Sequence, residues 1–181
     1  MLNIIQNAEI AAVKFFYTFQ HSLQNDFFNK IMIFFTRLGD HGFIWIALSA
    51  VFLFIKKYRK TGIISLLSLL ICAITVNVIL KPVIQRPRPF SEISDIILLI
   101  NEPKDFSFPS GHTAASFVMI YVFFKNMRKH FIFILTIAVL ISFSRLYLTV
   151  HYVSDVVAGI LIGLFSGYIG QKIFEFYSKK Q

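Results

Sequence analysis

Three short stretches, far apart in the chain, carry side chains whose types and spacing suit phosphate chemistry. The first is Lys81-Pro-Val-Ile-Gln-Arg-Pro-Arg88-Pro89 and the second is Pro109-Ser110-Gly111-His112. The third is Ser144-Arg145, then five residues to His151, then three more to Asp155. Lys81, Arg88 and Arg145 are fixed positive charges, and the planar fork of arginine meets two phosphate oxygens at once. Ser110 and Gly111 stand at a helix start, where unpaired N–H groups and the helix dipole favour an anion. Gly111, having no side chain, lets backbone come close to a ligand. His151 and Asp155 are four apart and share one face if the helix has begun there. A carboxylate on one ring nitrogen fixes the tautomer and frees the other to attack, while His112 is placed to protonate the departing oxygen. Such a set performs phosphoryl transfer through a phosphohistidine, and it needs no metal and no cofactor.

The elements that must position these residues are membrane helices. Hydrophobic residues make up 56% of the 181 and charged residues only 15%, with a mean hydropathy of +0.70. A soluble domain carries about 25% charge, so this chain has too few polar groups to cover a water-facing surface. Residues 2–22 mix polar and apolar positions and read as an amphipathic interfacial helix, the segment 1–24 lying on the membrane. Asn25 and Asp26 can cap a short helix to about Leu38, followed by a turn at Gly39-Asp40-His41-Gly42. Further spans are expected from Phe43 to Ile55, from Thr61 to Leu80, from the PSGH stretch to about Phe124, from Phe131 to Val150 and from Val153 to Phe174. Between them, residues 81–108 form a polar loop with four prolines and the acids Glu92, Asp95, Glu102 and Asp105. The expected fold is all-α, a single domain over 1–181: an integral membrane bundle of six transmembrane helices with an N-terminal interfacial helix.

Net charge is +9, a value that raises nucleic-acid binding. The basic residues lie between apolar runs and not along one stripe, which argues for no nucleic acid partner. Under the positive-inside rule the basic turns at 56–60 and 125–130 and the tail lysines Lys179 and Lys180 are cytoplasmic. Loop 81–108 and the turn at 151–154 then share the extracytoplasmic face, so all three chemical clusters meet there. The expected location is the cell (inner or plasma) membrane, multi-pass. Cys72 is the one cysteine and forms no internal disulfide. No signal peptide is evident at the start.

The three clusters resemble the KxxxxxxRP, PSGH and SRxxxxxHxxxD signatures of the type 2 phosphatidic acid phosphatase (PAP2) superfamily, with every defining position matched. The resemblance covers about residues 30–175. It implies a six-helix bundle, a metal-independent reaction, His151 as nucleophile, Asp155 as its partner and His112 as general acid. It likewise implies a phosphate cradle of Lys81, Arg88, Ser110, Gly111 and Arg145. The expected partners are a lipid phosphate substrate and membrane lipids, with no obligate protein partner. Phosphate passed from one lipid to another is the alternative on the same site, and a non-enzymatic lipid-binding protein is disfavoured because no motif residue is missing. Undecaprenyl pyrophosphate, phosphatidylglycerol phosphate, phosphatidic acid and lipid A phosphate all present a similar head. The shortness of loop 81–108 favours a prenyl pyrophosphate or a glycerophospholipid phosphate over a large sugar headgroup.

Other polar residues receive blander expectations. Arg86 touches phosphate or headgroup, or is merely solvated. Lys104 and the four loop acids are surface charges, and Asp40 and His41 lie on the catalytic face by topology, with lining the entrance of the site as their minor alternative. Asn77 makes an interhelical hydrogen bond, and His21 and His130 are interfacial.

Overall fold

The computed structural model describes residues 2–22 and 26–180, which form helices and no strands. In chain order these are α1 (Leu2–Ser22), α2 (Asp26–Leu38), α3 (Phe43–Phe54), α4 (Arg59–Ala73), α5 (Lys81–Ile84), α6 (Pro89–Glu92), α7 (Gly111–Asn126), α8 (Phe131–Tyr147) and α9 (Val153–Ser178). The expected cap at Asn25 lies outside the described residues, and Asp26 is the first residue of α2. α1 occupies the segment read as interfacial.

Three stretches are long and apolar enough to cross a membrane: Arg59–Glu92, Arg128–Tyr147 and Val153–Ser178. A fourth is obtained if α2 and α3, bent by 47° at the Gly39 turn, count as one broken span. α7 has only 16 residues, against the roughly 20 that cross the hydrocarbon. Length and composition therefore support three or four spans, fewer than the six expected. Large apolar side chains stand exposed around the bundle, among them Phe43, Phe54, Val78, Phe133, Leu161 and Phe165. Exposed apolar surface on this scale needs lipid against it, and the chain is a multi-pass membrane protein.

α7 is the central helix and packs on α4, α8 and α9. Ala114, Val118, Met119 and Val122 are wholly buried along it, and the Trp45 indole of α3 donates to Ser116 Oγ at 3.0 Å. α9 reaches α7 through Gly159, Gly163 and Gly167. A Cβ on Gly163 would fall 2.3 Å from the Ala114 carbonyl oxygen, so the two backbones touch there, as small residues allow in membrane helix pairs.

One boundary differs from expectation. Loop 81–108 does not begin at Lys81, because the helix continues to Ile84. Proline removes an N–H and crowds the carbonyl one turn back, which ordinarily breaks a helix. The chain instead widens to π turns over Ile74–Leu80, with the Lys81 N–H bonded to the Val76 carbonyl, and carries Pro82 inside the helix. Gln85, at φ 50°, then ends it by donating to the Lys81 carbonyl at 3.0 Å. Leu69, Cys72, Ala73, Val76, Asn77 and Lys81 consequently form one stripe, apolar at its deep end and cationic at its outer end, along a single wall of the cavity described next.

Candidate active site

A cavity of about 770 Å³ opens where α4–α5, the start of α7, the end of α8 and the Gly39 turn meet. Lys81, Arg88, Gly111, His112, Arg145 and His151 all line it. Residues from three clusters spread over 71 positions thus surround one space. The two remaining candidates, Ser110 and Asp155, stand behind the wall and are fully buried.

His151 follows the tight turn after α8, in which Thr149 takes a left-handed φ of 54°. Its Nε2 faces Arg88 Nη1 at 3.2 Å, and its Nδ1 stands 3.4 Å from Asp155 Oδ2. The arrangement suits a proton on Nδ1 and a lone pair on Nε2. Burial, reinforced by the positive charges of Arg145, Arg88 and Lys81, holds this imidazole well below its usual value. The ring is therefore neutral at neutral pH, as a nucleophile must be.

Asp155 is held from several sides. Its Oδ2 accepts from Ser107 Oγ at 2.5 Å and from the Tyr152 N–H at 2.8 Å, and its Oδ1 accepts from Arg86 Nη1 at 2.7 Å. Ser107 Oγ also lies 3.4 Å from His151 Nδ1. Arg86 neither lines the cavity nor stands free in solvent. Its guanidinium lies 4.0 Å over the Tyr152 ring, bonds Ser154 Oγ at 2.7 Å and pairs with Glu9 of α1. Glu9 in turn accepts from the Ser154 hydroxyl. α1 is thereby tied to the carboxylate behind His151, and Gln20 of the same helix donates to the Tyr147 carbonyl at 3.2 Å. A buried carboxylate stripped of its cation is costly, about 3 kcal/mol. Arg86→Ala is accordingly expected to lower stability by about that amount, read as a fall in thermal midpoint in detergent, and to lower kcat more than it raises KM.

His112 sits in the first turn of α7, its Nε2 2.9 Å from Asp40 Oδ1 and 3.2 Å from the Thr36 carbonyl oxygen. Asp40 is thus the partner of a second histidine and not only a rim residue. The turn can come this close because residue 39 is glycine: a Cβ there would fall 2.8 Å from His112 Cδ2. His41 lines the cavity too, the minor alternative for it in the sequence.

The cations differ in their partners. Arg145 is 3% exposed and bonds the Thr36 hydroxyl, but among the described residues its Nε has no hydrogen-bond partner. Lys81 and Arg88 both pair with Asp105, through Arg88 Nη2 to Oδ1 at 2.7 Å and through the Lys81 ammonium to Oδ2. Burial works against ionisation of Asp105, but Lys81 and Arg88 outweigh it and hold the carboxyl well below the usual range. Asp105 and Glu92 are exposed, as expected of loop acids, yet each holds buried partners: Asp105 binds Lys81 and Arg88, and Glu92 accepts from the Tyr152 hydroxyl at 2.5 Å.

Two further expectations change. The Ser110 N–H donates to the Asp155 carbonyl at 3.0 Å, so the helix-start donors left for an anion begin at Gly111. A Cβ on Gly111 would stand 4.0 Å from Lys81 Nζ, which puts that backbone beside the ammonium. Asn77 forms no interhelical hydrogen bond among the described residues and faces the cavity instead. Asp40, Glu9, Ser107 and Asp105 make contacts with the candidate site or its support that sequence reasoning did not assign, and nothing local distinguishes them from ordinary turn, helix and loop residues.

A buried histidine beside a carboxylate, a second histidine, three cations and a helix start thus meet at one cavity of a helical membrane protein. The chain belongs to the PAP2 superfamily, whose family profile matches residues 61–178. It is 34% identical over 146 residues to an undecaprenyl-diphosphatase of Sulfolobus acidocaldarius, covering 80% of this chain and 70% of that protein. It is 33% identical to a lipid A 4'-phosphatase of Bacteroides thetaiotaomicron, covering 70% of this chain and 62% of that one. Among solved structures it resembles the transmembrane PAP2-type phosphatidylglycerolphosphate phosphatase of Bacillus subtilis, with a TM-score of 0.74 and 29% identity, over 96% of this chain and 87% of that one.

Proposed function

We propose that the chain hydrolyses the phosphate monoester or diphosphate of a membrane lipid through a phosphohistidine on His151. Lys81, Arg88, Arg145 and the N–H groups at the start of α7 hold the phosphate. His151 Nε2 attacks phosphorus, and Asp155 keeps the ring in the required tautomer. His112, paired with Asp40, protonates the leaving oxygen and then activates water against the phosphohistidine, as microscopic reversibility requires. Charge gathering on the transferring group is met by cations already in place, the largest contribution in reactions of this kind.

The observation that carries this reading is Arg145, a buried guanidinium with an unpartnered Nε on the wall that also holds both histidines. Unpaired buried charge is costly, and an anion in the cavity relieves it. The same cavity runs inward past Ile46, Leu69, Cys72 and Ala73, between α3 and α4. An apolar wall continuous with a cationic end suits a phosphate whose carbon chain remains in the bilayer, and this supports a lipid over a soluble ester.

In this reading α1 lies at the outer interface and the remaining helices make five crossings, with α2 and α3 together forming one broken span. The site opens on the extracytoplasmic face of the cell membrane. Three observations support that orientation. Basic turns lie at the ends of α3, α7 and α9, the site lies at the ends of α4–α5 and α8 and the start of α7, and Glu9, Tyr17 and Gln20 of α1 all bond residues beside the site. A prenyl diphosphate or a glycerophospholipid phosphate remains the favoured substrate.

The test is phosphate release by purified protein in detergent, with EDTA present and one lipid supplied at a time. Release from a single lipid establishes hydrolysis over lipid-to-lipid transfer, and absence of release from every lipid phosphate removes the reading. The tail path has its own expectation. Ala73→Phe should raise KM about tenfold for a long-chain lipid phosphate and leave a short-chain soluble phosphoester unchanged, since a Phe side chain fills space comparable with several methylenes.

A further inference from the structure

Asp105 occupies an unusual place. Its carboxylate binds the two cations that a substrate phosphate needs, and it does so from outside. The Asp105 side chain is 53% exposed, whereas those of Lys81 and Arg88 are 8% and 4% exposed. The carboxylate therefore covers two buried cations at the mouth of the cavity. Its backbone is fastened separately, with the Asp105 carbonyl accepting from Arg88 Nε at 2.8 Å and the nearby Ser107 N–H bonded to the Arg86 carbonyl at 2.9 Å. Rotation of one side chain is enough to uncover the cations, and no helix has to move.

On the reading of the cavity as a phosphate site, we propose that Asp105 is a specificity-determining residue: an intramolecular stand-in for substrate phosphate that sets a charge threshold. A carboxylate carries one negative charge. An anion of equal charge gains little Coulomb energy by exchanging with it, whereas a phosphate monoester, with about 1.5 to 2 charges at neutral pH, gains on exchange. A bilayer presents phosphodiester lipids, each with one charge on phosphorus, in large excess over any phosphomonoester or diphosphate substrate. Open cations would collect those diesters unproductively. Asp105 works against them, since selectivity is a difference of affinities and a built-in competitor lowers the weaker binder below use. Its ionised state at neutral pH agrees with this role.

The experiment compares the wild-type chain with Asp105→Asn and Asp105→Ser, purified in detergent and matched by thermal midpoint. Isothermal titration with inorganic phosphate is read first. Both variants are expected to bind it roughly tenfold more tightly, in keeping with loss of a charged hydrogen-bonded competitor that is half exposed. Turnover of a lipid phosphomonoester is read next, in micelles with and without phosphatidylglycerol. The variants should show a lowered KM and become competitively inhibited by the diester, to which the wild type is indifferent. Weaker phosphate binding in both variants, or a loss of kcat with no gain in affinity, would mean that Asp105 merely holds Lys81 and Arg88 in place, and it overturns the proposal. So does diester inhibition that is equal in wild type and variants. Failure of the wild type itself to bind inorganic phosphate or release any from lipid strikes the phosphate-site reading instead, so the two failures are distinguishable.

Discussion

His151→Ala is expected to reduce kcat by at least about 10⁴-fold, the scale on which removal of an activated nucleophile acts, with inserted and folded protein recovered in normal yield. The size follows from the geometry. Among the described residues lining the cavity, His151 alone combines a buried carboxylate on one ring nitrogen with a cation beside the other, at 3.4 Å and 3.2 Å. Its removal takes away the attacking atom and leaves the cations, so inorganic phosphate should still bind within a few-fold of the wild-type affinity. That split between lost turnover and retained binding separates a nucleophile from a residue that shapes the pocket. Loss of both together would assign His151 to structure. Comparison of kcat and phosphate affinity in the same preparations reads the difference.

The second large effect is at His112, and there it depends on the leaving group. His112→Gln should slow phosphate transfer from an alkyl phosphate by about 10³-fold, within the 10²–10⁴ range of general-acid catalysis. An aryl phosphate leaves without a proton, so its first step should slow less than about tenfold by the same reasoning. Single-turnover measurement isolates that step from the later attack of water. Equal loss with both esters would show that His112 does not supply the proton. Asp40 belongs to the same prediction, since its carboxylate lies 2.9 Å from His112 Nε2. Asp40→Asn should produce a smaller loss with the same dependence on leaving group.

Residues that could be read from the sequence were those whose chemistry is local. Lys81, Arg88, His112, Arg145 and His151 stand out as charged or nucleophilic groups beside apolar runs, and the structure brings all of them to one cavity. Helix α9 was legible for the same reason, with glycines at four-residue spacing that now abut α7. What could not be read depends on contacts across long separations. Glu9 meets Arg86 across 77 positions, and Asp40 meets His112 across 72. A glutamate on a mixed helix looks like a solvated charge until the partner helix is known. Ser107 belongs to a polar loop in which many hydroxyls are equivalent by pattern, and only folding brings it to 2.5 Å from Asp155. The end of the third span was missed in a different way: π turns carry Pro82 inside the helix, and they are a backbone adjustment with no side-chain signature. The number of crossings is not legible from length alone, because α2 and α3 count as one span or two according to the bend between them, which no residue pattern announces. α7, at 16 residues, falls short of the usual span length, and its burial among α4, α8 and α9 has no signature in its own sequence.

The most direct measurement is to label the protein with a radioactive phosphate donor, quench within the turnover time, digest it and map the modified peptide. The account predicts a phosphoryl group that is stable to base, released by acid and bound to a ring nitrogen of His151, and, with an aryl phosphate as donor, more abundant in His112→Gln, because the intermediate still forms while water attacks slowly. A label on any other side chain, or full turnover in a protein whose residue 151 cannot carry phosphate, would contradict it.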